Sequence, residues 1–445
     1  MKLPKPNLSF WQIINMNVGF FGIQYSFGLQ QNAINPLYTF LHAKPENLPL
    51  LNLAGPLTGL LIQPIIGALS DKTWHPRWGR RKPYFLIGAI FCSICLFIFP
   101  FSSSLWMAVG LLWILDAANN TAMEPYRAFV ADKLPVSQQP MGFLTQSFFA
   151  GFGITLAAVS LWCFKQLIKG ENASGIPYWV FGSFFVGAVC SITSVLWSVS
   201  KTPEIPPTPE ELEEMRKEKK GILQTFIDIF KAIKQMPLTM WQLALVYLFQ
   251  WYAMMCYWQY ISHSIAKSVW HTSSQENLSL YENAAAWTGL VNGFYNVVTF
   301  VSAFGLVGLA RKFSAKYVHF ICLLLAAASL FIIPTIENKY FLFAPMIGFG
   351  IAWASMMGVP YIMVAGSIPP KRYGVYMGIV NMMIVIPMII QNLSFGFVYK
   401  HFLASDPGNA IRFAGAFLLI AALATLMIRL NKITEEVIIP VGPVH

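Results

Sequence analysis

Long apolar stretches separated by short polar turns recur along the whole chain. Segments 10–36, 48–70, 83–102, 104–131, 140–166, 177–200, 238–264, 284–310, 315–334, 340–366, 372–398 and 408–430 are predominantly apolar. As helices rising about 1.5 Å per residue, each is long enough to cross a hydrocarbon layer about 30 Å thick. The pattern predicts an all-α polytopic membrane protein with twelve transmembrane helices. The first segment contains Gln24, Gln30, Gln31 and Asn32. That is too polar for a cleavable signal core, and no small-residue cleavage site follows, so the segment is expected to remain in the mature protein.

A length of 445 residues would ordinarily suggest two or three soluble domains. The composition, 56% apolar and 15% aromatic with only 11% charged residues, is far from a soluble average of about 25% charged. Charge placement orients the chain. Lys2 and Lys5, the cations of 72–82 and 201–236, and Arg311, Lys312, Lys316, Lys371 and Arg372 all fall on the side of the N-terminus. The positive-inside rule then makes both termini cytoplasmic, with the chain in the plasma (cell inner) membrane. The net charge of +11 reflects loops facing anionic lipid and gives no reason to expect a nucleic-acid partner. Cys92, Cys95, Cys163, Cys190, Cys256 and Cys322 all lie in apolar segments, where they read as small packing residues. Their spacing indicates no disulfide framework and no metal site, and no cofactor is expected.

The one long polar connection, 201–237, divides the segments six and six. Residues 1–200 and 238–445 are the expected halves, and 201–237 is a cytoplasmic linker. Its "ILQTFIDIFKAIK" has the period of an amphipathic helix lying on the membrane surface. The halves show internal similarity. "EPYRAFVADKLP" (124–135) aligns with "VPYIMVAGSIPP" (359–370), matching Pro125 with Pro360, Tyr126 with Tyr361 and Pro135 with Pro370. Two six-helix repeats facing a midplane cavity are a transporter architecture. The charges of the first copy do not recur: Arg127 meets Ile362, Asp132 meets Ser367, and Asp116 falls near Ile351.

Those charges define a candidate site. At 100° per residue, Asp116, Asn119, Asn120, Glu124 and Arg127 share one face of the fourth segment. Intramembrane charges are costly and turn toward protein or a water-filled cavity. Glu124 and Arg127, spaced i, i+3, can neutralise each other. Asp116 has no partner within its helix. A lone carboxyl in low dielectric can load and release a proton near neutral pH, so Asp116, Glu124 and Arg127 are the expected proton-coupling residues.

"GALSDKTWHPRWGRRKP" (67–83) is the second dense signal, with Gly67, Asp71, Arg77, Gly79, Arg80 and Arg81 at fixed spacing. Small Gly67 permits close helix contact, and Asp71 can cap a neighbouring helix N-terminus. The arginines can grip carboxylates across a cytoplasmic gate, with Asp132 a partner for Arg77 or Arg80. This loop resembles the signature loop of the major facilitator superfamily. "GIQYSFGLQQNAINPLY" (22–38), "GPLTGLLIQPIIGALSD" (55–71), "RWGRRKPYF" (77–85) and "WILDAANNTAMEPYRAFVAD" (113–132) are similar, more narrowly, to the sucrose–proton symporters and their bacterial disaccharide-transporting relatives. The resemblance is strong over about a third of the chain. It implies the major facilitator fold, alternating access and proton-coupled uptake of a glycoside, with Asp116 as the coupling carboxylate. Plant members usually have glycine where this chain has Glu124, and the "MEPYRAF" form resembles the bacterial branch.

A sugar site needs amides and hydroxyls for its polar edges and aromatic faces for its rings. Candidates are Gln24, Gln63, Asn120, Gln146, Trp251, Tyr252 and Asn296. The expected function is a monomeric proton-coupled symporter for a small neutral sugar, a disaccharide or oligosaccharide glycoside. Facilitative or sodium-coupled carriage and drug–proton antiport are the alternatives within transport. A membrane enzyme or a sensor is the alternative outside it, and no paired catalytic motif, phosphate loop or metal-ligand cluster supports an enzyme.

Overall fold

A computed structural model describes residues 5–210, 212–213, 231–365 and 373–429; the side chains of some helical residues, Asp71 among them, lie outside the description. Twelve long helices follow one another among the described residues. They are α1 (Phe10–Phe40), α2 (Ala54–Lys72), α3 (Lys82–Ile98), α4 (Leu105–Lys133), α5 (Gln139–Leu167) and α6 (Tyr178–Lys201), then α7 (Leu238–Trp270), α8 (Leu278–Phe313), α9 (Ala315–Ile332), α10 (Phe343–Ala365), α11 (Tyr373–Phe402) and α12 (Pro407–Thr425). Each expected apolar segment holds one of them, and α1, α7, α8 and α11 run several residues past the expected ends. Eight of the spans are long and apolar enough to cross a membrane. The others are α1, α4, α7 and α8, and α1 and α4 carry Gln24, Gln30, Asp116, Glu124 and Arg127. Residues 222–230 of the linker's amphipathic stretch and the repeat residues Ser367 and Pro370 lie outside the described residues.

Local chemistry sets the helix ends. Ser9 and Gln12 form a reciprocal capping box at the start of α1, with Ser9 N donating to Gln12 Oε1 at 2.8 Å. Ser104 and Asn277 cap α4 and α8 singly, their side-chain oxygens accepting from the amides of Met107 and Leu280. Pro125 in α4 and Pro360 in α10, the aligned prolines of the repeat, both sit inside helices. Each removes one backbone hydrogen bond at the same relative place.

The chain packs as two compact units, Met1–Leu223 with Ala285–Gly293 and Gln224–Ala284 with Phe294–His445. Lipid gives no hydrophobic drive for helices to associate, so close packing and buried hydrogen bonds must hold each unit. In the first unit a Cβ on Gly22 of α1 would strike the Cys190 carbonyl of α6 at 2.4 Å. One on Gly88 of α3 would strike the Ala118 carbonyl of α4 at 2.6 Å. Only glycine allows these crossings. Tyr126 is fully buried among Phe20, Phe85 and Phe129, and its hydroxyl meets Ser198 Oγ at 2.8 Å, tying α4 to α6. Its repeat counterpart Tyr361 is 37% exposed, so the shared residue serves the core in one copy only. In the second unit Tyr252, Phe395, Phe413 and Phe417 form an aromatic cluster joining α7, α11 and α12.

Candidate transport site and loop clamp

In the first unit the polar face of α4 turns inward. Asp116, Asn119 and Asn120 are all buried, Asp116 to 2% exposure. Asn120 is the hub: its Oδ1 accepts from Gln63 Nε2 of α2 at 2.7 Å, and its Nδ2 donates to Thr58 Oγ1 at 3.1 Å and to the Asp116 carbonyl at 2.9 Å. Asn119 Nδ2 donates to Ser26 Oγ of α1 at 2.8 Å. The structure thus joins two sequence candidates, Gln63 and Asn120, one turn from Asp116. Gln30 lies beside the Asp116 carboxyl, but its buried amide nitrogen completes no hydrogen bond. No cation stands within ion-pair distance of Asp116 among the described residues. Gln24 is buried with its amide nitrogen 3.9 Å from the Met123 sulfur, and Gln146 is buried with its amide nitrogen unbonded.

Glu124 and Arg127 do not pair as expected. Arg127 is exposed, whereas Glu124 is half-buried with its Cγ against Gly67 of α2, and no ion pair joins them among the described residues. Residues three apart on a helix are near enough to pair, but here the glutamate stem lies against the neighbouring α2. Gly67 is likewise no tight crossing: a Cβ there would meet Glu124 Cγ at an ordinary 3.7 Å.

In the second unit, Gln259 Nε2 donates to Asn392 Oδ1 and its Oε1 accepts from Gln391 Nε2, both at 2.8 Å. Gln250 is fully buried with neither amide atom bonded, and the Trp251 indole nitrogen is buried and unbonded. Trp353 of α10 stands edge-on between Trp251 and Trp258 of α7, with centroids 5.9 and 5.7 Å away. It is not among the sequence candidates, although it is the single tryptophan of its segment. Tyr252 belongs to the aromatic cluster and meets Ser394 Oγ at 2.9 Å. Asn296 is buried beside Tyr295.

The loop after α2 folds as a tight turn. His75 and Gly79 exchange backbone hydrogen bonds of 3.0 and 2.8 Å, and His75 Nδ1 accepts from the amides of Arg77 and Trp78. Gly79 has φ +76°, which disfavours any residue with a side chain. Behind the turn lies Glu204, from the start of the linker. Its carboxylate accepts three backbone N–H groups, from Arg80 (2.8 Å), Arg81 (2.9 Å) and Lys82 (2.9 Å), at the N-terminus of α3. The side chain of Asp71, the expected cap, lies outside the description; the cap observed is Glu204. Asp132 pairs with Arg81, at 2.8 Å, rather than with Arg77 or Arg80. Arg81 is 5% exposed and also donates to Ser70 Oγ at 2.7 Å, while Arg77 is exposed on the turn. Lys133 donates to the Pro203 carbonyl at 2.6 Å. Burial lowers the pKa of its ammonium from the ordinary lysine value, with the Glu204 charge opposing. Trp74, Arg80, Phe129, Asp132, Lys133 and Glu204 line a cavity of about 220 Å³ on this face. The sequence carries one signal for Glu204, an acid set among prolines in "TPEIPP" within a cationic loop.

The family model described as Major Facilitator Superfamily matches residues 16–391. The chain belongs to the Major Facilitator Superfamily. It is an integral membrane protein, and the superfamily members it resembles are transporters. "Sucrose transport protein SUT5" of Oryza sativa subsp. japonica is 23% identical over 470 residues, 91% of this chain and 85% of the relative. "Sucrose transport protein SUC4" of Arabidopsis thaliana is 23% identical over 429 residues, 84% of this chain and 81% of the relative. Among solved structures, the nucleoside transporter NupG superposes with a TM-score of 0.68 at 14% identity, over 94% of this chain and 99% of its own. A D-xylose–proton symporter superposes with a TM-score of 0.64 at 14% identity, over 96% and 99%. At that identity the structural likeness shows the fold alone. For this superfamily member, the clamp ties the start of the linker to the N-terminus of α3, while Asp116 and the amides around it make a polar face that lipid could not solvate.

Proposed function

We propose that this chain is a proton-coupled symporter of a sugar, a disaccharide or oligosaccharide glycoside, with twelve transmembrane helices in two six-helix repeats and transport by alternating access. The observation that carries the reading is Asp116: a buried carboxyl without an ion-pair cation among the described residues, one turn from an amide and hydroxyl network. A permanently charged carboxylate there would be costly, and a group that gains and loses a proton as the site opens avoids that cost. The neutral amides suit sugar hydroxyls, and the tryptophans of the second unit suit the apolar faces of pyranose rings. Similarity to plant sucrose transport proteins over most of the chain supports a glycoside substrate.

The test is uptake of a sugar panel by proteoliposomes, with and without an inward proton gradient. A glycoside accumulated uphill only with the gradient is the expected result. Accumulation that needs sodium instead, or equilibration without accumulation, would replace the proton reading with the alternatives named above.

A further inference from the structure

The α2–α4 seam has an unusual lining. Gly55, Gly59, Gln63 and Gly67 recur every four residues on α2 and face Asp116, Asn120 and Glu124, which recur every four residues on α4. A Cβ on Gly55 would lie 3.6 Å from Asp116 Oδ2, one on Gly59 would lie 4.0 Å from Asn120 Oδ1 and Gln63 Nε2, and one on Gly67 would lie 3.7 Å from Glu124 Cγ. These contacts differ in kind from those of Gly22 and Gly88, where a Cβ would overlap backbone at 2.4 and 2.6 Å. The α2 glycines are therefore not needed for close helix approach. Each leaves the room of one methyl group, about that of a water molecule, against a polar side chain.

We propose that this seam carries a file of water molecules through which Asp116 exchanges its proton with the cytoplasm, with Glu124 as the inner end of the file. The proposal rests on the proton-coupled reading above. Asp116 is more than nine-tenths buried and points at Gly55, and the amide nitrogen of neighbouring Gln30 is buried and unbonded. A buried water needs polar partners, and the seam offers Asp116, Asn120, Gln63 and Glu124 in succession. The eight residues from Asp116 to Glu124 rise about 12 Å, a span that about four hydrogen-bonded waters bridge. Of the groups packed around Asp116, α1 brings Gln30 and the titratable Tyr38, whereas the facing positions of α2 bring none that titrates. Around Glu124 the nearby charge on its own helix is the exposed Arg127. In the transfer the Asp116 O–H bond breaks, its proton joins the adjacent water, and each water passes one proton on. The Glu124 carboxylate accepts the last and returns it to bulk water, with no change in oxidation state anywhere.

Alanine fits each glycine position at ordinary contact distance, so Gly59→Ala and Gly67→Ala should fold while filling the water sites. The experiment compares wild type, these variants, Glu124→Gln and the control Gly110→Ala, where a Cβ would meet open space, as full-length protein in proteoliposomes. Sugar-driven proton entry is followed with a trapped pH dye, and sugar-for-sugar counterflow, which moves no net proton, with labelled sugar. Proton entry slowed severalfold more than counterflow in the glycine variants and Glu124→Gln, and no change in Gly110→Ala, is the expected result. Wild-type proton entry in both glycine variants overturns the proposal, and so does an equal loss of proton entry and counterflow, which would mark a sugar-binding or packing role. If wild type itself moves no protons with sugar, it is the coupled reading that fails.

Discussion

The Glu204 carboxylate occupies the space that a side chain at Gly79 would fill: a Cβ there would lie 2.5 Å from Glu204 Cδ. The two positions form one device. Gly79 supplies the left-handed turn and the room, and Glu204 uses that room to reach three amides at the N-terminus of α3. An anion there also meets the positive end of the helix dipole. Glu204→Gln and Gly79→Ala should each lower stability by at least about 1 kcal/mol, the scale of a lost helix cap. Because both break the same contact, the double variant should be little worse than either single one. Thermal unfolding of the four proteins in detergent checks this. Additive losses would mean that the two residues act separately.

Asp116→Asn keeps the size and hydrogen-bonding capacity of the side chain and removes the exchangeable proton. The variant should lose uphill sugar accumulation under an imposed pH gradient while retaining counterflow, because Gln63, Asn120 and Thr58 remain joined. Normal accumulation in this variant would remove Asp116 from the mechanism.

How much of this is legible in the sequence follows from what lipid and helix geometry enforce. A bilayer demands long apolar runs, so the positions of the twelve helices are visible at once. Rotation of 100° per residue places Asp116, Asn119 and Asn120 on one face, and all three are buried as that face requires. Pairings between separate segments are not legible. Arg77, Arg80 and Arg81 are equivalent by composition, and only the fold of the turn exposes Arg77 and buries Arg81 against Asp132 and Ser70. Spacing alone allows Glu124 and Arg127 to pair, and only the packing of α2 shows that the glutamate stem lies against Gly67 instead. Trp353 has no local pattern to mark it, because its role depends on two tryptophans nearly a hundred residues earlier.

Trp353 is the residue of the second unit whose removal should read most directly on substrate. It holds both Trp251 and Trp258 edge-on, so Trp353→Ala frees two rings as well as deleting one. An aromatic contact of this kind contributes about 0.5–1.5 kcal/mol beyond its buried area, so the sugar half-saturation constant should rise roughly two- to tenfold. Trp353→Phe should recover part of the loss. Transport kinetics on the three proteins measure it, and an unchanged constant in Trp353→Ala would place the sugar elsewhere.

At the start of α12, Asp406 couples stability to acidity in a direction that can be worked out. Its Oδ1 accepts from the Gly408 amide at 2.7 Å and the Asn409 amide at 3.1 Å, and its other oxygen pairs with Lys267. Burial pushes the carboxyl upward, but the Lys267 hydrogen bond and charge and the two amides outweigh it and hold the group below the ordinary aspartate value. A carboxylate favoured by the folded state contributes stability above its unfolded pKa of about 3.9, and that contribution fades as the pH falls through the folded value. Asp406→Asn should therefore melt below wild type at neutral pH, by the roughly 0.5–2 kcal/mol of a helix N-cap at most, since asparagine also caps. The gap between the two proteins should close as the pH is lowered below about 4. Melting curves across that range decide it: a gap that stays constant would mean that Lys267 and the charge on Asp406 contribute nothing, and that the cap acts through shape alone.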